Sequence, residues 1–219
     1  MLSCEHYSNG VPLKYAHLFT KAVDVLESHR GYDVRVAPVF IRMEPLFDQA
    51  FFFRYSRLLI EPNAAIGDAH LFSPFTTQLS QRDKAFIIST YYMPYRKQLE
   101  GFIEQYLSQE VLHITLHTFH PKQGNRNLKS SIGIRFHAGD KRTRKLAVLL
   151  KQCLIDQSSA LNVRFNYPYR GEQNNLASYL YRCFPEGYSC LELEVRNDLA
   201  LELRPLLYAA LASMRGILE

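Results

Sequence analysis

The chain has 219 residues, 47% of them hydrophobic and 21% charged, which is ordinary for a globular protein with a sizeable core. No apolar run approaches the ~20 residues that a membrane-spanning helix needs, so a spanning segment and a membrane partner are excluded. The four cysteines form no CxxC pair and the N-terminus lacks a signal-peptide pattern. We therefore expect a cytoplasmic protein with reduced thiols.

The net charge of +5 and the pI near 9.0 could indicate an anionic partner. Only Lys141–Lys145 forms a dense basic run, and such a run is more typical of a solvated helix face than of a nucleic-acid site. Aromatic residues do not interleave with a basic stripe, so we expect no nucleic-acid partner. A small anionic substrate agrees with the charge, and the sequence predicts no oligomeric state.

Predicted strands and helices alternate along the chain, which is typical of a layered α/β domain. No repeat or long linker divides residues 1–219, so we predict a single domain. The first half is predicted to contain a very short strand before His6, a helix over Tyr15–His29, a strand over Phe51–Ile60, and a helix that begins near Gln81 with Ser80 as its cap. The second half is predicted to contain helices over Tyr95–Ser108, Lys145–Asp156 and Leu199–Leu218, the last broken or kinked at Pro205, and strands over Val111–Phe119, Ser131–Phe136 and Leu191–Val195.

Residues that could carry chemistry lie at the ends of predicted strands. His6 follows the first strand, His117 lies near the end of another, and Glu194 lies on the last. In open α/β sheets, ligands gather outside the carboxyl ends of the strands. This placement favours one shared site.

Three histidines in one ten-residue stretch, His113, His117 and His120, are candidate zinc ligands. On a strand, His113 and His117 are separated by about four rises of ~3.3 Å, too far apart to chelate one ion together. One of them at most is a ligand, and His6 and Asp33, which lie next to turn signals, are the most plausible further ligands. For any single position, a buried structural histidine remains the alternative.

Glu192 and Glu194 project from the same face of the last predicted strand, with Arg196 two residues further along. A carboxylate beside a metal could take a proton from water and pass it to a leaving amine. The alternative is an ion pair between arginine and glutamate.

Two turn-rich loops, GNRN and NYPYRG, carry Arg126 and Arg170, whose planar guanidinium groups suit a substrate carboxylate. Tyrosines at four positions are interpreted as packing residues. They are Tyr55, Tyr91, Tyr92 and Tyr95.

Seven segments in order resemble the N-formylglutamate amidohydrolase family: SCEHYSNGVP, HRGYDVRV, YSRLLIEPN, YYMPYRKQLE, LHITLHTFHP, NYPYRGEQNN and LELEVRNDL. The resemblance spans Ser3 to Leu199. It implies a three-layer α/β/α fold of the phosphorylase/hydrolase-like type with a central mixed sheet, as in the zinc carboxypeptidases and aspartoacylase. It also implies hydrolysis of N-formyl-L-glutamate to formate and glutamate, a reaction of histidine degradation.

The resemblance implies one Zn²⁺ per chain, or another divalent metal, bound by His6, Asp33 and His117. Carboxypeptidase relatives take one ligand from the position three residues after the first histidine, which is Asn9 here. Asn9 and His29 therefore remain alternatives to Asp33 as the third ligand.

The same resemblance implies roles for residues around the metal. Glu194 matches the carboxylate that activates water, and Arg57 matches the group that stabilises the oxyanion. Asn63 and Arg170 match substrate-binding positions, to which the loop argument adds Arg126.

Several positions depart from the family pattern, among them Asn174, where the family usually has an aspartate. The arginine of the family's Asn-Arg pair is replaced by Ala64, and the preceding Asp-Leu is Glu61-Pro62. Loss of a bidentate contact to a substrate carboxylate would weaken binding. Two alternatives therefore stay open: a metal amidase or carboxypeptidase for another N-acyl substrate, and a non-catalytic binding protein with the same fold.

Overall fold

The structure is a computed structural model that describes residues 1–169 and 175–219, apart from the side chains of Gln123 and Arg126. The strands are β1 (Leu2–Cys4), β2 (Ala50–Phe52), β3 (Val111–Phe119), β4 (Lys122–Gln123), β5 (Arg126–Asn127), β6 (Ile132–Arg135), β7 (Val163–Phe165) and β8 (Tyr188–Arg196). The α-helices in these ranges are α1 (Val23–Leu26), α2 (Val36–Met43), α3 (Gln81–Ile87), α4 (Met93–Tyr106), α5 (Lys141–Gln157), α6 (Leu176–Cys183) and α7 (Ala200–Leu218).

Six strands form one mixed sheet in the order β2-β1-β3-β8-β6-β7. Every neighbouring pair is parallel except β6 and β8, which are antiparallel. The strands β4 and β5 form a separate antiparallel pair. The α/β fold with a mixed sheet, expected from the sequence, is confirmed.

Helices cover both faces of the sheet. On one face, Leu116 of β3 and Leu193 of β8 belong to an apolar core that also contains residues of α2, α5 and α7. On the other face, Val111 and Tyr188 join a second core with residues of α4 and α6. The two cores make the three layers, because each face of the sheet buries its own set of apolar side chains. Among the described residues, no helix is long and apolar enough to cross a membrane.

Three element predictions are wrong. The predicted helix over Tyr15–His29 is instead a 3₁₀ helix over Leu13–Phe19 followed by the short α1. The predicted strand over Phe51–Ile60 ends at Phe52, because the chain then turns and Ser56 donates its backbone N–H to Gly10 and its hydroxyl to Gly31. The final helix is present, but it continues through Pro205 over Ala200–Leu218, so the predicted break there is wrong.

Other predicted elements are confirmed. The Ser80 side chain accepts from the Asp83 N–H at the start of α3. The strand predicted over Val111–Phe119 has the same bounds, and the last strand begins three residues before Leu191 and ends one residue after Val195. These two strands carry the site.

Candidate metal centre

His6, Asp33 and His117 are brought together although they are far apart in the sequence. Each offers one ligand atom, and these atoms lie within 4.8 Å of one another. All three side chains are buried. His6 follows β1, His117 lies near the carboxyl end of β3, and the Asp33 backbone N–H donates to the His6 carbonyl at 2.9 Å. The predicted convergence at the strand ends is therefore observed.

Asp33 is at the centre of this group. Its Oδ2 accepts from the Thr118 backbone N–H at 3.0 Å and lies 3.0 Å from His117 Nδ1. Its Oδ1 lies 3.6 Å from His6 Nδ1. Each carboxylate oxygen thus faces the Nδ1 atom of one histidine.

The other ring nitrogen of each histidine, Nε2, faces a carboxylate of its own. Glu61 Oε1 lies 2.6 Å from His6 Nε2, and Glu5 Oε2 lies 3.1 Å from His117 Nε2. Sequence reasoning did not select either glutamate. Glu5 could have been found, because it lies two residues after the buried Ser3 of β1 and alternation along the chain puts both side chains on the same side of the sheet. Glu61 could not, because it reaches the site only through the turn after β2.

Arg57 contributes the positive charge next to these carboxylates. Its Nε donates to Glu61 Oε2 at 3.0 Å, and Nη1 lies 3.7 Å from Asp33 Oδ1. Its Nη2 lies 2.7 Å and 2.6 Å from the two ring nitrogens of His6. The residue predicted to stabilise an oxyanion is thus in direct contact with a predicted ligand.

Electrostatics favour ionised carboxylates in this group. Burial alone would raise the pKa of Asp33, but the charge of His6 and the hydrogen bond from His117 lower it well below its usual range. Burial also opposes ionisation of Glu5, yet the hydrogen bond and charge of His117 lower its pKa to about 2. Conversely, Asp33 and Glu5 raise the pKa of His117 well above its ordinary value, although burial opposes this.

The donor set fits a divalent cation. Two imidazoles and one carboxylate are a known ligand set for catalytic zinc, and other divalent metals accept similar ligands. The group contains three buried or half-buried carboxylates, those of Asp33, Glu5 and Glu61, and the Arg57 guanidinium contacts two of them, Asp33 and Glu61. This excess of negative charge is what a divalent cation would offset.

Glu194 lies beside the group on the neighbouring strand. It is the register partner of His117, so both side chains leave the same face of the sheet. A Cβ at Gly133, opposite Glu194 on β6, would overlap the Tyr167 carbonyl oxygen, so only glycine allows the loop before residue 170 to pack here.

The arginine that binds Glu194 is not the one expected. Arg135 Nη1 lies 2.9 Å from Glu194 Oε1 and 3.0 Å from Glu192 Oε2. The alternative prediction of an ion pair is therefore borne out with Arg135, whereas Arg196 bonds to Asp198 at 2.8 Å because it lies at the end of β8. Burial raises the pKa of Glu192, and the charge of Arg135 opposes this.

The remaining candidates differ in position. His29 Nε2 lies 3.7 Å from Asp33 Oδ1, next to the group, whereas His120 is exposed and its ring contacts Lys122. Asn9 is half-buried. The Asn63 backbone N–H donates to Glu61 Oε1 at 3.1 Å. Arg170 and the side chain of Arg126 lie outside the described residues.

Two buried residues have polar roles that the packing interpretation of the tyrosines missed. The Tyr95 hydroxyl donates to Glu5 Oε1 at 2.7 Å, and the Tyr92 hydroxyl donates to the Ala64 carbonyl at 2.6 Å.

His113 lies outside the metal group, and its ring contacts the Tyr188 hydroxyl at 2.7 Å. Burial lowers the pKa of His113 to about 3.

The fold and site define an α/β protein with a candidate divalent-metal centre at the carboxyl ends of its parallel strands. The family model described as N-formylglutamate amidohydrolase matches residues 1–201, and the chain belongs to this family of amidohydrolases.

Two solved structures support the assignment of the fold. The crystal structure of gene product Atu2144 from Agrobacterium tumefaciens is 26% identical, with a TM-score of 0.77, over 100% of this chain and 86% of that one. The structure of N-formylglutamate amidohydrolase from Ralstonia eutropha JMP134 is 16% identical, with a TM-score of 0.71, over 99% of this chain and 93% of that one, a likeness that concerns the fold alone. No curated protein sequence matches the chain.

Proposed function

We propose that the protein is a metal-dependent amide hydrolase that cleaves N-formyl-L-glutamate to formate and glutamate. The observation that carries this proposal is the convergence of His6, Asp33 and His117 within 4.8 Å, with Glu194 in register on the adjacent strand. Membership of the amidohydrolase family supports the reaction class. The cytoplasmic location and the single domain over residues 1–219 remain predictions.

His6, Asp33 and His117 would bind one Zn²⁺, or another divalent metal. When bound, the metal would polarise the amide carbonyl and lower the pKa of a coordinated water toward ~7. The protein contributes a buried site whose ligands are already oriented by hydrogen bonds, among them the one from Thr118 to Asp33.

Glu194 would take the proton from the attacking water and then give it to the departing amine. Arg135 orients its carboxylate through the 2.9 Å contact. Arg57 would stabilise the developing oxyanion, a role that can contribute roughly 3–4 kcal/mol to the transition state. Its present contacts with Glu61 and His6 put the guanidinium at the edge of the site.

Substrate binding would fall to polar groups around the metal. Asn63 follows Glu61 in the turn beside His6, and Arg126 and Arg170 supply the cations proposed to bind a small anionic substrate. Ala64 is buried, and its carbonyl accepts from Tyr92 and Arg96. Because this position supplies no guanidinium, hydrolysis of another N-acyl amino acid is the second candidate function.

The test combines metal analysis with a substrate panel. Protein purified without chelator should contain about one zinc per chain, and should hydrolyse N-formyl-L-glutamate faster than N-acetyl-L-glutamate or N-formyl-L-alanine. His117→Ala should lose both metal and activity, whereas His120→Ala, which changes an exposed histidine outside the group, should keep both.

Each other outcome has a definite meaning. Zinc-dependent turnover with a different best substrate would replace the first candidate by the second. A wild-type protein that binds no metal, even after zinc is added, would exclude the hydrolase and favour a non-catalytic binding protein with this fold.

A further inference from the structure

Glu5 is a buried carboxylate whose two oxygens have different surroundings. Oε1 accepts from the Ser3 hydroxyl at 2.6 Å and from the Tyr95 hydroxyl at 2.7 Å. Oε2 lies 3.1 Å from His117 Nε2 and has no other polar partner among the described residues. The side chain is about 1% exposed, so bulk water does not supply another partner.

The hydrogen bonds of this network can all run in one direction, from donor to acceptor toward Glu5. If the Tyr188 hydroxyl donates to His113 Nδ1, then His113 Nε2–H donates to Ser3 Oγ, and the Ser3 hydroxyl donates to Glu5. A neutral His113 agrees with its complete burial. Glu5 is therefore the end of the chain and only accepts.

With a metal bound, His117 would keep Nε2–H toward Glu5, and the Nδ1 proton that now faces Asp33 would be replaced by the metal. A histidine that binds a metal through one nitrogen commonly donates its other N–H to a carboxylate, which fixes the tautomer and the ring orientation. The 3.0 Å separation of His117 Nδ1 and Asp33 Oδ2 agrees with two ligand atoms that face one ion.

We propose that Glu5 is a positioning residue that fixes His117 as the Nε2–H tautomer, so that Nδ1 is the atom that binds the metal. This inference rests on the proposed function, because it requires that His117 bind a metal. Tyr95 and Ser3 act one step further out, since they hold the Glu5 carboxylate in place.

Glu61, the corresponding partner of His6, provides a contrast. Its oxygens also accept from Arg57 Nε at 3.0 Å and from the Asn63 N–H at 3.1 Å. Its side chain is about 20% exposed. Glu61 is thus committed to several donors, whereas Glu5 Oε2 faces only His117 among the described residues, and the effect on metal affinity should be larger for Glu5.

Glu5→Gln removes the negative charge and one acceptor oxygen of the side chain but keeps its shape. Two hydroxyl donors face one side of the side chain, so the glutamine carbonyl oxygen should turn toward them and its NH₂ toward His117 Nε2. That amide would favour the opposite tautomer, with Nδ1 protonated. We expect zinc to bind about 10–100-fold more weakly, a range typical of such partners.

The experiment measures zinc affinity of the full chain by competition with a chromophoric chelator at one pH. Glu5→Gln should show the loss, Glu5→Asp should recover part of it, and Tyr95→Phe, which removes one donor but keeps the carboxylate, should show a smaller loss. Nitrogen-15 NMR of the zinc-loaded wild type should report His117 protonated at Nε2. If Glu5→Gln does not fold, the Glu5→Asp and Tyr95→Phe affinities and the NMR tautomer decide the question.

The outcomes separate this inference from the proposed function. Wild-type protein that binds zinc with His117 protonated at Nδ1, or variants that bind zinc as tightly as the wild type, would overturn the role of Glu5 alone. Wild-type protein that binds no zinc would overturn both.

Discussion

The two faces of the central sheet are built from the same strands but have opposite chemistry. On the face toward α2, α5 and α7, the strands β3 and β8 bury mostly apolar side chains, namely Ile114, Leu116, Leu191, Leu193 and Val195, and the small polar residues Thr118 and Ser189 lie toward the strand ends. On the face toward α4 and α6, the same strands bury five polar side chains: His113, Thr115, His117, Glu192 and Glu194. Parallel strands covered on both faces are usually apolar throughout.

The difference shows where stability and chemistry are located. Burying a charge costs several kcal/mol unless it is paired and hydrogen-bonded. On the polar face, Glu194 and Glu192 share Arg135, and Glu5 and Asp33 flank His117. We therefore expect substitutions on the polar face to change activity and metal binding, and substitutions on the apolar face to change the free energy of unfolding.

Glu194→Gln should have the largest effect. Removing a general acid-base group typically lowers the rate about 10²–10⁴-fold, and kcat should fall by this factor for the best substrate. Zinc content should stay near one per chain, because Glu194 lies outside the group of three ligands. Steady-state kinetics and elemental analysis of the same preparation test both statements. Full activity in this variant would remove Glu194 from the mechanism.

Arg135→Met should affect both the fold and the site. It leaves Glu192 and Glu194 buried without their shared cation, and breaking such a pair costs about 3–5 kcal/mol. Urea denaturation measures the loss of unfolding free energy. Arg196→Met is the matched control, because its ion pair with Asp198 is partly exposed and should contribute no more than about 1 kcal/mol. Equal losses in the two variants would contradict the buried bridge.

Leu193→Ala changes the neighbour of Glu194 on the opposite face. Leu193 is fully buried in the apolar core, so the variant should lose about 2–5 kcal/mol of unfolding free energy. Its kcat should stay within a few-fold of the wild type at a temperature where it is folded. A drop in kcat comparable to that of Glu194→Gln, in folded protein, would show that the two faces are not separable.

The local pattern was sufficient to predict the central strands. The β-branched and aromatic run at Val111–Phe119 and the alternation of glutamates and apolar residues near Leu191–Val195 both gave the correct elements. Because strand ends meet at one edge of the sheet, the convergence of His6 and His117 followed from topology. Asp33 was selected because it lies next to a turn signal, and the resemblance to the family implied it as the third ligand.

Features that depend on long-range contacts were not predicted. Arg135 reaches Glu194 only because β6 pairs with β8 in one antiparallel register. Glu61 reaches His6 because Ser56 and its neighbours turn away from the sheet, where their composition had indicated a longer strand. The helices α2 and α6 were missed, since the packing against the sheet that stabilises short helices cannot be seen in the local sequence.

The smallest expected effect concerns His113, on the polar face but outside the metal group. Its folded-state pKa of about 3 lies below the ordinary value of 6.5, so between these values the unfolded chain binds a proton that the folded chain does not. Stability contributed by this group is therefore present above pH 6.5 and is lost as the pH falls, by up to about 1.4 kcal/mol per pH unit. His113→Gln keeps groups able to bond with Ser3 and Tyr188. Its unfolding free energy should lack the pH dependence that this one proton causes in the wild type.

The test compares urea denaturation of the wild type and His113→Gln at pH 7, 6, 5 and 4.5, with chelator present so that metal makes no contribution. The variant is expected to be less stable at pH 7, because glutamine fits the site less well than imidazole. The difference in unfolding free energy between the two proteins should then narrow toward pH 4.5, since only the wild type loses stability through His113 as the pH falls. Parallel curves would mean that His113 accepts a proton in the folded state, and Nδ1–H would then donate to the Tyr188 hydroxyl instead of accepting from it.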